Sequence, residues 1–296
     1  MEEQKAGCLA HPAVQRWRMM VLALFCLPAL LCTHAKAAGT EYEKLEGSLR
    51  TPGEPMRVRV VRSARAGCEP GCAEWISFEG EIDLQSTHEF GVVLNSLQGR
   101  KLPVLIDSQG GDAAYAMAIG SLIRYRGLDV AVARTEFDPC SNSSSGCKSG
   151  DWNGACGRPS SQAAHCFSAC TIILAAGVRR LIAPGAQIGV HSGRLPEEHA
   201  ETLRRRLSKV ASLRRLYWGS TPLEDVVQQH QRHMLQNWNA TVRRYFEKNG
   251  IAAEILDLIE STPATEIRIL SGTELTRLKL VTDLNAGQSL IEQLGK

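Results

Sequence analysis

The sequence predicts an α/β fold with a largely parallel sheet. Three observations carry that reading: short, wholly apolar runs such as PVLI at 103–106, stretches of helical apolar spacing directly after them, and glycine-containing turns between the two. A strand covered on both faces has no room for alternating polar residues, so a short apolar run marks it.

In order along the chain, β-rich runs stand at 58–61 and 75–78, with an extended piece at 80–82. Residues 86–97 place Phe90, Val93, Leu94 and Leu97 on one helical face behind a Ser/Thr start. The strand at 103–106 leads into Asp107-Ser108-Gln109-Gly110-Gly111-Asp112, then a helix over 113–125 that Gly127 ends, then a strand at 130–133. Paired glycines let backbone N–H groups face outward without side-chain obstruction. Taken alone, they make a tight turn with Asp112 capping the helix.

Residues 134–165 lack apolar periodicity and are rich in Ser, Gly and Cys, which reads as a long cysteine-braced loop. It leads into SQAAHCFSACTIILAAGVRRLIAPGAQIGVH, residues 161–191. This stretch is read as a helix over 169–176 opened by Ser168, strands at 180–183 and 187–190, and His191 at the end of the second strand. Residues 196–250 turn helical and basic. Leu203, Leu207, Val210, Leu213 and Leu216 keep an apolar stripe, and the arginines read as a solvated face; two long helices split near Thr221-Pro222 and serving as an assembly arm are the alternative. A helix at 251–259, a strand at 266–270, a Ser271-capped helix to Lys279 and a closing segment at 280–283 end the fold.

The chain has 296 residues, 44% hydrophobic and 22% charged, the balance of an ordinary globular protein. Its formal charge of +3 implies no nucleic-acid partner. Arg16 and Arg18 precede an apolar run at 19–32, and Ala35-Lys36-Ala37 has signal-peptidase spacing. The run is short for a bilayer and broken by Pro28. The reading is a signal peptide over 1–37, a periplasmic or secreted mature chain and no stable membrane span after cleavage. An uncleaved anchor is the competing reading, as is a lipid on Cys32, against which bulky Leu31 counts.

Three of the ten cysteines fall in that leader, leaving seven. In an oxidising compartment they read as disulfides with one thiol over. Cys68 and Cys72 flank a Glu-Pro-Gly turn and pair locally. Cys140, Cys147, Cys156 and Cys166 staple the loop, and Cys170, inside an apolar run, reads as a buried small hydrophobe. Zinc is the alternative, but the spacings lack the close pairs of zinc knuckles. No metal or cofactor is expected.

The domain reading follows: a leader at 1–37, a lead-in with the cysteine turn at 38–72, a core at 73–195 holding the 134–165 loop, a helical arm at 196–250, and the C-terminal part of the core at 251–296.

With these residues in hand, the chain resembles the Clp protease proteolytic-subunit and crotonase superfamily, as an exported bacterial branch. Ser108-Gln109-Gly110-Gly111 stands where the family has Ser-Pro-Gly-Gly. Ser168 opens a helix ahead of Ala176-Gly177, and Pro184 precedes His191 by the family's seven positions. The tail from Leu270-Ser271-Gly272-Thr273-Glu274-Leu275 to Leu280-Val281-Thr282-Asp283 resembles the family's closing segment. The likeness spans 75–283.

It implies a repeated β-β-α spiral with a helical arm, a homo-oligomer, and a serine peptidase or hydrolase acting on a peptide or protein. Ser168 would be the nucleophile, His191 its base, and the N–H groups of Gly110 and Ala169 the oxyanion hole. The family's triad aspartate would fall near Ser261-Thr262-Pro263, where no carboxylate stands. Thr262, Glu260 or a backbone carbonyl would then orient His191. An imidazole base must be neutral, so activity is expected to rise through roughly pH 6.5. The alternatives are an inactive Clp-like scaffold that binds peptides or partner proteins, and a cysteine nucleophile at Cys166 or Cys170. Acyl-CoA chemistry, as in crotonases, conflicts with export.

Overall fold

The apolar run at 104–106 is fully buried, inside the larger of two sheets. The structure, a computed structural model, describes residues 42–43, 53–138, 154–193, 195 and 197–295. The leader at 1–37, the lead-in at 38–41 and 44–52, and Cys140 and Cys147 lie outside the described residues.

Strand β1 is Tyr42–Glu43, β2 Arg57–Ser63, β3 Glu74–Glu79, β4 Val104–Asp107 and β5 Val130–Val132; helices α1 (Leu84–Ser96) and α2 (Ala113–Arg126) follow β3 and β4. Next come β6 (Arg134–Phe137), β7 (Ala155–Ser160), β8 (His165–Phe167), α3 (Cys170–Ala175), β9 (Arg180–Ile182) and β10 (Gln187–Val190). Helices α4 (Glu197–Lys209), α5 (Ala211–Trp218), α6 (Leu223–Lys248) and α7 (Ile255–Ser261), strand β11 (Ile267–Ile269), and helices α8 (Gly272–Arg277) and α9 (Ala286–Leu294) complete the order.

The larger sheet runs β6-β7-β2-β3-β4-β5-β9 and is mostly parallel, with β2–β3 and β6–β7 antiparallel. The smaller runs β1-β11-β10-β8, its β8–β10 pair parallel. The fold is therefore mixed α/β around a mostly parallel sheet, as its apolar runs require.

Alternation along the strands assigns the two faces. Val104, Ile106, Val130 and Val132 pack with Phe90, Leu94, Ile119, Ile123 and Ile173 from α1, α2 and α3. Leu105, Ala131, Val61, Trp75 and Leu181 point the other way, onto Leu290 and Leu294. That second apolar face explains why the fold does not end at 280–283: α9 follows and covers it.

The segment read as one loop at 134–165 carries strands at both ends. β6 and β7 form an antiparallel pair at the sheet edge, with Thr135 opposite Pro159. Such an edge is held by ladder hydrogen bonds rather than by an apolar stripe, which is why periodicity did not show it. Trp75 anchors this edge, its buried Nε1–H donating to Thr135 Oγ1 at 2.9 Å. Cys68 and Cys72 form a disulfide, as their turn predicts. No helix among the described residues is long and apolar enough to cross a membrane.

Candidate functional site

The glycine bend and the Ser168 elbow meet in van der Waals contact. Gly110 and Gly111 have φ of +112° and +129°, a region L side chains rarely adopt. A Cβ placed on Gly110 would lie 2.8 Å from Ser168 Cβ and 2.9 Å from the Phe167 carbonyl oxygen. Asp112 then caps α2, accepting from the N–H groups of Ala114 at 2.7 Å and Tyr115 at 3.2 Å.

Ser168 is not the helix cap that its position suggested. Ala169 is the N-cap of α3, without a side-chain capping bond, and Ser168 sits between β8 and the helix with φ +54°. A non-glycine residue in this left-handed region costs roughly 1–2 kcal/mol. Its N–H donates to the Gly189 carbonyl on β10 at 3.0 Å, and its own carbonyl accepts from Thr171 N–H at 3.1 Å and Thr171 Oγ1 at 2.8 Å. Ser168 lines a cavity of about 710 Å3.

His191, one residue past β10, lines the same cavity. Its Nδ1 lies 2.9 Å from the Ser192 carbonyl oxygen. A carbonyl only accepts, so Nδ1 carries the proton in this bond; in the neutral ring the lone pair is then on Nε2, the tautomer a base needs. Ser192 N–H in turn donates to the Thr262 carbonyl at 2.9 Å.

The two side chains suggested as third members have other partners. Fully buried Thr262 donates its hydroxyl to Leu258 O at 2.7 Å, and Glu260 Oε1 accepts from Asn239 Nδ2 at 3.0 Å. Of the three ways to orient the imidazole, a backbone carbonyl, that of Ser192, is present in this geometry.

The two expected oxyanion donors differ. Among the described residues the Ala169 N–H meets no acceptor. The Gly110 N–H donates to the buried Ser108 hydroxyl at 3.1 Å.

The helical segment read as an arm forms a wall of the site. Leu235, Trp238 and Val242 of α6 line the cavity, and Ile259 of α7 joins them. Their spacing at 235, 238 and 242 is a helical face that the search for a stripe, confined to 203–216, passed over. Tyr245 ties α6 to the elbow helix by donating to the Ile172 carbonyl at 3.2 Å, and burial pushes its phenol well above its ordinary pKa. On the outer side, Arg204 bonds Glu224 and Glu197.

Sequence reasoning also missed a disulfide. Cys166 and Cys170 are bonded to each other, two residues either side of Ser168, so Cys170 is not a lone buried thiol. The one available signal was their spacing, which on a continuous helix would also fit two unlinked side chains.

A second cavity of about 500 Å3 lies on the other side of the bend, lined by Asp107, His165, Arg134 and Arg59. Asp107 Oδ1 accepts from the His165 backbone N–H and from Nδ1, both at 2.9 Å. Burial alone would lower the His165 pKa; the hydrogen bond and charge of Asp107 outweigh it, and the net shift is upward. A raised folded-state value makes the stabilisation fully present below the unfolded imidazole value of about 6.5, and lost as pH rises through the folded one. The urea midpoint of the protein should therefore exceed that of His165→Asn by more at pH 5.5 than at pH 8.5. An equal gap at both pH values would show that the imidazolium contributes nothing.

No protein-family model matches the chain, and no curated protein matches it.

Proposed function

We propose that the chain is an exported, Clp-like serine hydrolase, acting as a peptidase through Ser168 and His191 on a fold of the Clp/crotonase type. The supporting observation is the arrangement of Ser168: a serine with positive φ, pressed against the glycine bend, on the wall of the cavity that His191 also lines. Strained, outward-turned serines between a strand and a helix are a recurrent way of presenting a nucleophile.

In the proposed reaction His191 Nε2 takes the Ser168 hydroxyl proton as Oγ attacks the acyl carbon. The Ala169 N–H and the Gly110 N–H, the latter drawn from Ser108, receive the negative oxygen. The imidazolium then protonates the leaving amine, and water releases the acyl group by the reverse sequence. A carbonyl behind Nδ1 fixes the tautomer but lacks the charge of an aspartate, so the imidazolium gains less and the enzyme is slow. The disulfides fit export to an oxidising compartment.

The contact of His191 Nδ1 with a neutral carbonyl, that of Ser192, favours one other reading, a scaffold of the same fold that binds peptides without cleaving them. A fluorophosphonate separates the two. Incubated with the mature protein, it should leave one adduct, mapped by mass spectrometry to Ser168 and absent from Ser168→Ala. An unlabelled wild-type protein that still binds peptides would establish the scaffold reading.

A further inference from the structure

We infer that the Cys166–Cys170 disulfide is a positioning element for Ser168, holding the serine at its turn between β8 and α3. Its consequence for activity rests on the serine-hydrolase reading above; its consequence for backbone order does not.

The bond closes a ring of five residues, Cys166-Phe167-Ser168-Ala169-Cys170, with the serine at its centre and Cα atoms 5.2 Å apart across it. One sulfur belongs to a strand residue, since Cys166 is registered opposite Ile188 of β10 and bridged to Ser108. The other belongs to the first residue of α3. The tie therefore spans the two elements whose relative direction sets where the hydroxyl points.

On the strand side the elbow is also held by Phe167 N–H donating to Ser108 O and Ser168 N–H to Gly189 O, both at 3.0 Å. On the helix side there is less. α3 has six residues, its N-cap Ala169 makes no side-chain bond, and the Ser168 carbonyl is bound only within the same turn, by Thr171. Removal of the disulfide leaves a left-handed serine followed by a short, uncapped helix start.

A purely stabilising staple would be placed differently. Cross-links stabilise mainly by constraining the unfolded chain, and the effect grows with the loop they close. A five-residue ring constrains the unfolded chain little, but it restricts the few dihedrals around Ser168 strongly. Both sulfur-bearing residues are fully buried, so the bond is shielded from thiols in the folded protein.

The test uses the full mature chain with Cys166→Ala, Cys170→Ala and the double substitution. If the bond positions Ser168, each single variant loses as much as the double. All three should react with the fluorophosphonate at least tenfold more slowly, through kcat-like reactivity rather than probe binding, while the thermal midpoint moves little. Amide hydrogen exchange over 166–173 should quicken by a similar factor.

Additive losses from the two single variants would mean side-chain packing, and unchanged exchange with wild-type labelling would overturn the proposal outright. Faster exchange in variants of a wild type that never labels would retain the positioning role and remove the nucleophile. Should the variants not fold, the wild type is reduced with a water-soluble phosphine in urea that opens the buried bond, freed of urea, and carried through both readouts beside a Cys68→Ser/Cys72→Ser control. The phosphine becomes its oxide with oxygen from water as the S–S bond breaks and each sulfur takes a proton. Unchanged exchange and labelling after complete reduction would then overturn the proposal.

Discussion

Replacing His191 by Ala is expected to slow phosphonylation of Ser168, and hydrolysis of any peptide substrate, by on the order of 10² to 10⁴. That factor is about 3 to 5 kcal/mol of transition-state stabilisation. The size follows from the geometry: with Nδ1–H on the Ser192 carbonyl, Nε2 is the unprotonated nitrogen of a residue lining the cavity with Ser168. The variant should also lose the rise in rate across pH 6 to 7 that a neutral imidazole imposes. Because the ring is not part of the core, its thermal midpoint should stay near that of the wild type. A pH profile of the same shape in both proteins would assign the proton transfer to another group.

The second large effect is expected at Gly110→Ala. The new methyl would meet Ser168 Cβ at 2.8 Å and the Phe167 carbonyl at 2.9 Å, on a backbone with φ of +112°. Both crowding and conformation oppose it, at a combined cost on the order of 1–3 kcal/mol. Displacing the bend also moves the proposed oxyanion donor Gly110, a loss on the order of 10² to 10³ in rate. Gly185→Ala separates the two effects. Gly185 also has positive φ, +77°, but open space around it, so the substitution should lower the midpoint and leave labelling of Ser168 unchanged. Equal losses of labelling in both variants would make the Gly110 effect one of stability alone.

Much of this arrangement is legible in the residues. Asp112 after two glycines announces a capped helix, and it caps α2. Ser271 with Glu274 three residues on announces a capping box, and both halves form. β10 has the bounds its apolar run marks, 187–190.

What stayed hidden has physical reasons. β6 and β7 are edge strands with Gly157 and Pro159 in them, stabilised by pairing that composition does not record. Helix α9 lies past the closing segment at 280–283, and nothing calls for it until the face of Leu105 and Trp75 is known to need cover. The Cys166–Cys170 bond depends on a positive φ at a serine, which no local preference foretells. The role of α6 depends on tertiary packing over a cavity that its basic composition disguises.

Arg180 has a consequence for the order in which the chain can fold. Its buried guanidinium donates to the carbonyls of Lys279 and Gly177, its backbone N–H donates to Thr282 Oγ1, and its neighbour Leu181 bridges to Asp283. A chain that ends before Lys279 holds a buried cation with one of its two acceptor carbonyls missing, on a strand of an unfinished sheet. β11, which flanks the strand carrying His191, is also made late. Completion of both sheets thus waits on the C-terminal segment, whose loss would strip Arg180 and β10 of partners they hold in the finished fold.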